Sequence, residues 1–185
     1  MRRIINSTYV TLDGVITNPQ RWPVLEDPGE ERAAIQQELI EQCDAVLLGR
    51  DTYLAFAGVW QGREGDPYTD RINSMRKYVV STTLRQATWN NSVLIGADAA
   101  AAIARLKDEP GRDIVTYGFG RLAGTLLEHG LLDEIRLWIH PFFLGNAPDA
   151  GLLVHHTAAA RLQLAGSLPL ENGTVIHTYV LEHGP

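Results

Sequence analysis

The sequence predicts an α/β fold with a mainly parallel sheet, flanking helices and an antiparallel addition at the C-terminal edge. Short continuous apolar runs, such as residues 45–48 and Asp113–Tyr117, alternate with segments whose apolar residues recur at helical spacing. The C-terminal third differs, because Glu134–His140 alternates strictly and Val175–Leu181 follows a turn at residues 172–173. This pattern is typical of two or three antiparallel strands that close the fold.

The first elements follow from local signals. Residues 4–10 predict a strand, after which comes a polar loop. Asp27-Pro28 is typical of a helix start, with Asp27 as the N-cap and Pro28 in the first helical position. An apolar stripe that reaches Cys43 continues this helix, and residues 45–48 form the next buried strand.

Further alternations complete the parallel part of the sheet. In order, they are a helix opening at residues 49–53, a helix start at Asp66-Pro67, a strand at residues 77–81, a strand at residues 92–95, a helix over residues 99–107, the strand Asp113–Tyr117 and a helix over residues 122–127.

Composition narrows the class of protein. A chain of 185 residues, 45% hydrophobic, favours a single domain spanning residues 1–185. The net charge of -6 argues against a nucleic-acid binder, since such affinity comes from clustered Lys and Arg. Cys43 is the only cysteine, which excludes an internal disulfide and leaves no Cys/His cluster with zinc spacing. The first residues do not resemble a signal peptide and no run matches a membrane span, so we expect a cytoplasmic protein.

Three predicted strand ends carry residues suited to an anion. The sets are Gly49, Arg50 and Thr52; Ser81, Thr82 and Thr83; and Gly118, Phe119, Gly120 and Arg121. Strands of a parallel sheet end at one edge, where helix N-termini offer unpaired N–H groups and a partial positive charge. Each set alone is explained as a turn, a cap or a surface cation, whereas together they fit a dinucleotide.

An ordered set of motifs resembles a known family. They are TLDGV at residues 11–15, LLGRDTY at 47–53, NSMRKYVVSTTL at 73–84, WNNS at 89–92 and GLLDEIRL at 130–137. The chain is similar along nearly its whole length to the dihydrofolate-reductase-like family, in the branch of the reductase domain of the riboflavin-biosynthesis deaminase-reductase. The resemblance implies an eight-stranded sheet, NADPH as cofactor, a small heterocyclic substrate and a homodimer.

The resemblance also assigns residues. It implies that Gly49, Arg50 and Thr52 hold the phosphate end of NADPH, with Arg50 and Ser81 near the 2′-phosphate. Thr82 adds a hydroxyl beside Ser81. The backbone of Gly118, Phe119, Gly120, Arg121 and Leu122 is expected to cradle the pyrophosphate. The nicotinamide is expected beside the first strand and the loop Leu12-Asp13-Gly14.

Two departures from the family pattern affect these expectations. The family has Gly-Ser-Gly or Gly-Gly-Gly at the turn where this chain has Gly118-Phe119-Gly120, so the Phe119 side chain is expected to restrict the turn or the cofactor's access. Residues 141–151 also differ from the family's pattern. Because that region borders the substrate pocket, the substrate is expected to differ too.

Proton donation to the reduced atom needs an acid, and two carboxyls are candidates. Asp13 follows the first strand, although its place before Gly14 is also explained by an Asx turn. Asp27 lies five residues after Trp22, the spacing of tryptophan and acid in dihydrofolate reductases, and equally suits an N-cap. Glu26 ranks third. His155-His156 does not indicate a metal site, since adjacent side chains diverge.

The sequence therefore favours an NADPH-dependent reductase acting on a small heterocycle of pterin or aminopyrimidine type. Two alternatives use the same cleft. One is a non-catalytic protein that binds a small aromatic ligand, and the other is a flavin nucleotide binder, because helix N-termini also suit a single phosphate.

Overall fold

A computed structural model describes residues 1–22, 29–145, 148 and 151–182 of the chain. The described residues contain eight strands, numbered in chain order: β1 Ile4–Thr11, β2 Cys43–Gly49, β3 Arg76–Val80, β4 Ser92–Ile95, β5 Asp113–Tyr117, β6 Glu134–His140, β7 Leu162–Pro169 and β8 Val175–Leu181. They form one sheet in the order β4-β3-β2-β5-β1-β6-β8-β7.

The sheet is parallel from β4 to β6 and antiparallel beyond it. Every neighbouring pair from β4 to β6 is parallel, whereas β8 runs antiparallel to β6 and β7 antiparallel to β8. This order confirms the predicted α/β class and its antiparallel C-terminal edge. It also places the carboxyl ends of β3, β2, β5, β1 and β6 in one row, where a ligand site of a parallel sheet is expected.

Five helices cover the two faces in the described part of the chain. They are α1 Glu30–Gln42, α2 Arg50–Trp60, α3 Pro67–Ser74, α4 Ala99–Asp108 and α5 Arg121–Glu128, with short 3-10 turns at Pro19–Arg21 and Leu153–His156. None of these helices combines the length and apolar character that a bilayer span requires.

The core forms two layers, one on each face of the sheet. On the α1 face, Leu39, Tyr53 and Ile72 bring α1, α2 and α3 against the buried side chains of β2 and β5. On the α5 face, Ile103 of α4 and Leu126 of α5 cover the opposite sides of the same strands. Burial of both faces explains why the central strands are continuous apolar runs rather than alternating ones.

Two details differ from the sequence prediction. The sequence pattern predicts Cys43 on the helix stripe, but Cys43 is extended, fully buried and the first residue of β2. Its small apolar side chain suits either position, so periodicity does not separate them. The sequence pattern also predicts Ser81 as the last residue of a strand, yet β3 ends at Val80 and Ser81 starts the following turn. The predicted helix start at Asp27-Pro28 lies outside the described residues.

Candidate active site

Two helix N-termini meet at the carboxyl edge of the central strands. β2 and β5 are parallel neighbours, so α2 and α5, which follow them, begin side by side. A Cβ atom on Gly49 would lie 3.7 Å from the Leu122 Cβ, and one on Gly118 would lie 3.3 Å from the Thr52 hydroxyl. Neither Gly49 nor Gly120, the two N-caps, supplies a side-chain hydrogen bond. The backbone N–H groups of both first turns can therefore face one anion.

A polar pair on β1 holds the second of these turns. The Asn6 Nδ2 donates to the Gly118 carbonyl oxygen at 2.8 Å, and the Thr8 Oγ1 donates to the Asn6 Oδ1 at 2.7 Å. Gly118 has a φ of 73°, a conformation that favours glycine. The sequence analysis does not single out Asn6 and Thr8, and the only signal for them is the run of polar residues 6–8 inside a buried strand.

The third strand end lies one strand away from the paired N-termini. Gly49 of β2 is in register with Val80 of β3, so Ser81 follows directly beside α2. The Ser81 Oγ accepts hydrogen bonds from the backbone N–H groups of Leu84 at 2.9 Å and Thr83 at 3.2 Å, and it lies 3.5 Å from the Thr83 hydroxyl oxygen. Thr82 is exposed next to it. The structure thus brings the three predicted sets to one edge.

Two exposed arginines stand at the starts of these helices. Arg50 is the first residue of α2 and pairs with Asp51 at 2.9 Å, while Arg121 is the first residue of α5. A cation at a helix N-terminus is opposed by the helix dipole, so neither position stabilises its own helix electrostatically. Both residues are instead at the carboxyl edge of the sheet, where their charges are available to an anion.

The Phe119 side chain lies in the core and not in the cleft. It is 3% exposed and packs on the α5 face with Leu47, Ile103 and Leu126. The expectation that this side chain obstructs the turn or the cofactor is therefore wrong, and only its backbone faces the candidate site. The side chain turns inward because β5 leads directly into α5 over a buried cluster, and this direction is set by tertiary packing.

Asp13 is held as a carboxylate. It accepts hydrogen bonds from the Thr11 hydroxyl and from the backbone N–H groups of Leu144 (3.1 Å) and Gly145 (2.8 Å). These bonds lower the pKa of Asp13 to about 2, with the Thr11 hydroxyl as the largest cause. A group with this pKa does not fit a proton donor near neutral pH, and its evident role is to join the loops after β1 and β6. The other candidates, Asp27 and Glu26, lie outside the described residues.

A second group of side chains lies on the α1 face, where β1 and β6 end. The Tyr9 ring is 5.1 Å from the His140 ring and 5.5 Å from the Trp138 ring. From α1, the Gln36 Nε2 donates to the Tyr9 hydroxyl at 3.2 Å, and the Arg32 guanidinium lies 5.8 Å from the Tyr9 ring centre. We call Tyr9, Arg32, Gln36 and His140 the Tyr9 cluster.

Three atoms of the Tyr9 cluster are buried without a hydrogen-bond partner among the described residues. They are Arg32 Nη1, Gln36 Oε1 and His140 Nε2. Burial lowers the pKa of His140 to about 4, with a smaller contribution from the Arg32 charge, so His140 is neutral near neutral pH. Arg32 and Gln36 were missed in the sequence, since polar residues four apart on a helix usually face water.

A shallow apolar pocket borders the loop after β1. It is lined by Leu12, Asp13, Gly14, Leu152, Leu153, Val154 and Thr157. The Leu153 N–H donates to the Gly14 carbonyl at 2.8 Å, which fixes one wall. His155 and His156 belong to the neighbouring 3-10 turn, and no group of three or more metal-ligating side chains converges in the described part of the chain.

Comparisons with solved structures identify the fold. The chain matches a protein of Shewanella sp. PV-4, described as concerned with riboflavin biosynthesis, with a TM-score of 0.72 and 20% identity over 98% of this chain and 99% of the other. A pyrimidine reductase-like protein of Corynebacterium diphtheriae gives 0.71 and 13% over 99% and 93%. A Thermotoga maritima diaminohydroxyphosphoribosylaminopyrimidine deaminase/5-amino-6-(5-phosphoribosylamino)uracil reductase gives 0.65 and 13% over 97% and 56%.

Sequence comparisons identify the family. The protein YyaP of Bacillus subtilis strain 168, described as uncharacterized, is 30% identical over 187 residues, which cover 96% of this chain and 94% of YyaP. The family model of the RibD C-terminal domain matches residues 2–176. The likeness in fold and this match confirm the dihydrofolate-reductase-like resemblance: the chain belongs to the RibD C-terminal domain family.

Proposed function

We propose that the protein is an NADPH-dependent reductase that transfers hydride to a small heterocycle of pterin or aminopyrimidine type. The observation that carries the proposal is the paired, uncapped N-termini of α2 and α5, with Arg50 beside them. Family membership supports a reductase, and two solved relatives are named as a uracil reductase and a pyrimidine reductase-like protein.

The residues at this edge fit a phosphorylated cofactor. A Cβ on Gly118 would lie only 3.3 Å from the Thr52 hydroxyl, so the absence of a side chain lets the Gly118 backbone and the Thr52 hydroxyl lie close together, as two groups that share one pyrophosphate must. We assign the pyrophosphate to Gly49 and Thr52 and to the backbone of residues 118–122, and the 2′-phosphate to Arg50, Ser81 and Thr82. When bound, NADPH supplies the hydride.

Reduction of the ring also needs a proton, and this proton comes from an acidic side chain and not from NADPH. Because Asp13 is held ionised, we retain Asp27 as the proposed acid. The proposed role of Asp27 is tested with the variant Asp27→Asn. This variant should have a lower turnover number and an unchanged affinity for NADPH. A loss of cofactor affinity in that variant would contradict the role.

Removal of the Arg50 charge, which we assign to the 2′-phosphate, is the decisive experiment. Arg50→Gln removes a charge-assisted contact worth about 1.5–3 kcal/mol, so NADPH affinity should fall about 10- to 100-fold while NADH affinity stays the same. Both affinities can be measured by titration with the fluorescence of the reduced nicotinamide.

Arg63→Gln is the matched control, since Arg63 is exposed in the loop after α2, away from the carboxyl edge. It should leave both affinities unchanged. Absence of NADPH binding to the unaltered protein at millimolar concentration, or an equal loss for NADPH and NADH in Arg50→Gln, would contradict the proposal.

A non-catalytic ligand-binding protein is the second candidate. It is favoured by one observation, namely that Asp13, the described candidate for the acid, is fixed as a carboxylate. Such a protein would bind a small aromatic ligand without oxidising NADPH in the presence of any pterin or pyrimidine. A flavin nucleotide at the same helix N-termini would instead colour the purified protein yellow.

A further inference from the structure

The connection between β3 and β4 contains no helix. The two strands are parallel neighbours, and residues 81–91, which join them, lie in turns and irregular backbone. Parallel strands are usually joined by a helix that packs on the sheet. We call residues 81–91 the β3–β4 crossover. Because no helical hydrogen bonds hold the crossover internally, its position depends on bonds to its neighbours.

The β3–β4 crossover and α2 each carry one half of the proposed 2′-phosphate site. Arg50 begins α2, whereas Ser81 and Thr82 begin the crossover. Gly49 and Val80, which precede the two halves, are register partners in the sheet, so the halves start side by side. The Ser81 Oγ bonds to backbone N–H groups of its own turn, and these bonds do not join the crossover to α2.

Within the described residues, two side-chain hydrogen bonds join α2, or the residue directly after it, to the crossover. The Trp89 backbone N–H donates to the Tyr53 hydroxyl at 2.9 Å, and the Gln61 Nε2 donates to the Thr88 carbonyl oxygen at 3.2 Å. Tyr53 is 2% exposed and Trp89 is 1% exposed, so bulk water does not compete for their bond. Gln61 is exposed to water. The Tyr53 bond is therefore the better protected connection of the two.

Trp89 is also held by residues at the opposite end of the sheet. Its Nε1 donates to the Asn73 Oδ1 at 2.6 Å, and the Lys77 ammonium lies 4.5 Å from the centre of its ring. The Lys77 Nζ donates in addition to the carbonyl oxygen of the next residue, Asn90, at 3.2 Å. Buried polar networks whose members are paired make a structure rigid. The Tyr53 hydroxyl is therefore bonded to a fixed point of the crossover.

We propose that Tyr53 is a positioning residue that holds Arg50 of α2 in place against Ser81 and Thr82 of the crossover, so that the site selects NADPH over NADH. This inference rests on the proposed reductase function and adds a buried residue that acts through the groups at the phosphate. Tyr53 lies three residues, about one helical turn, after Arg50. Groups that bind one ligand together must be held within about 0.5 Å by the residues that support them.

In the proposed site, only the 2′-phosphate depends on both halves. We assign the pyrophosphate to Gly49, Thr52 and the backbone of residues 118–122, none of which belongs to the crossover. NADH carries the same pyrophosphate but no 2′-phosphate, so its binding does not require the crossover to be in place. If Tyr53 served the stability of the fold alone, its loss would lower the affinities for NADPH and NADH together.

Tyr53→Phe tests the inference, because it keeps the ring beside Trp89 and removes only the hydroxyl. The affinities of the full chain for NADPH and NADH are measured by titration with the fluorescence of the reduced nicotinamide, at a temperature where circular dichroism shows each variant folded. We expect NADPH affinity to fall about three- to tenfold and NADH affinity to change by less than about twofold. Gln61→Ala loosens the same crossover from the surface and should cause a smaller loss of NADPH affinity.

The same substitution in the Arg50→Gln variant gives a second measurement. Without the arginine, its position relative to Ser81 no longer matters, so Tyr53→Phe should then lower NADPH affinity by less than about twofold. Tyr179→Phe is the matched control, since Tyr179 lies on β8, towards the other edge of the sheet. It should leave both affinities unchanged.

An unchanged ratio of NADPH to NADH affinity in Tyr53→Phe would overturn the inference, as would an equal loss of NADPH affinity with Arg50 present and with Arg50 replaced. If Tyr53→Phe does not fold, an unchanged ratio in Gln61→Ala overturns it instead. Each of these results, with NADPH binding intact in the unaltered protein, contradicts the positioning role of Tyr53 alone. Absence of NADPH binding to the unaltered protein contradicts the reductase function and this inference with it.

Discussion

At the scale of single residues, the Phe119 side chain belongs to the core and not to the candidate cofactor site. Its side chain packs with Leu47 and Leu126 under the turn. Phe119→Ala should therefore lower the free energy of unfolding by about 3–5 kcal/mol, as expected for loss of a buried aromatic ring. Chemical denaturation followed by circular dichroism measures it.

The exposed neighbour Arg121 provides the control, since Arg121→Ala should change stability by no more than about 0.5 kcal/mol. A Phe119→Ala variant that keeps full stability and binds NADPH more tightly would show instead that the ring blocks the cleft. The free energy of unfolding of Phe119→Leu should lie between those of Phe119→Ala and the unaltered protein, because leucine retains part of the buried volume.

At the scale of elements, β1 controls the turn between β5 and α5. Asn6 anchors the Gly118 carbonyl and is itself held by Thr8. Asn6→Ala removes the hydrogen bond to the Gly118 carbonyl, which contributes about 1 kcal/mol, and leaves the turn between β5 and α5 less ordered. NADPH affinity should therefore fall about tenfold. Titration of NADPH measures the change.

Thr8→Val keeps the side-chain shape and removes only the hydroxyl that orients Asn6, so it should give a smaller loss in the same direction. An Asn6→Ala variant with unchanged NADPH affinity and unchanged stability would show that the turn is held by packing alone.

Lys77 joins the end of α3 to the start of β3. Its Nζ donates to the backbone carbonyls of Asn73 (3.0 Å), Met75 (2.9 Å) and Asn90 (3.2 Å), and burial lowers the pKa of Lys77 from 10.5 to about 8. Between these two pH values the unfolded chain holds a proton that the folded protein has released. Stability contributed by this group therefore rises with pH across that window, by up to about 3 kcal/mol.

Lys77→Met should remove that rise. Urea unfolding at pH 7, 8, 9 and 10 would give the difference in free energy between the variant and the unaltered protein. Arg76→Met, at the exposed neighbouring position, should leave the difference flat. If the difference in free energy of unfolding between Lys77→Met and the unaltered protein also did not change with pH, the pKa of Lys77 would not be lowered.

At the scale of the whole molecule, the outer edge of the sheet remains uncovered within the described residues. Leu162, Leu164 and Leu168 of β7 are 42%, 54% and 45% exposed, and Val180 of β8 is 39% exposed. An apolar edge strand of this kind favours pairing with another chain. The family resemblance implies a homodimer, and we expect its interface to lie at this edge.

Sedimentation equilibrium should give twice the chain mass, and Leu164→Glu should return it to one chain without affecting NADPH affinity. Leu54→Glu, which alters an exposed leucine on α2, is the control and should leave the mass unchanged. A single-chain mass for the unaltered protein at micromolar concentration would contradict the expectation.

The sequence determined the alternation of elements, the class of fold, and which strand ends carry glycine, hydroxyl and arginine. These features are local, because burial of a strand on both faces and the start of a helix depend on residues close in the chain. The Gly49 and Gly118 turns could therefore be predicted to share one edge once the sheet was taken to be parallel.

Only the tertiary structure decided which side chains face that edge. Phe119 turns into the core and Asp13 becomes a bonded carboxylate because of residues up to 132 positions away in the chain. The Tyr9 cluster joins α1 to β1 and β6, so no local pattern reveals that Arg32, Gln36 and His140 share one buried space. Such contacts arise from the order of strands in the sheet, which neighbouring residues in the chain do not encode.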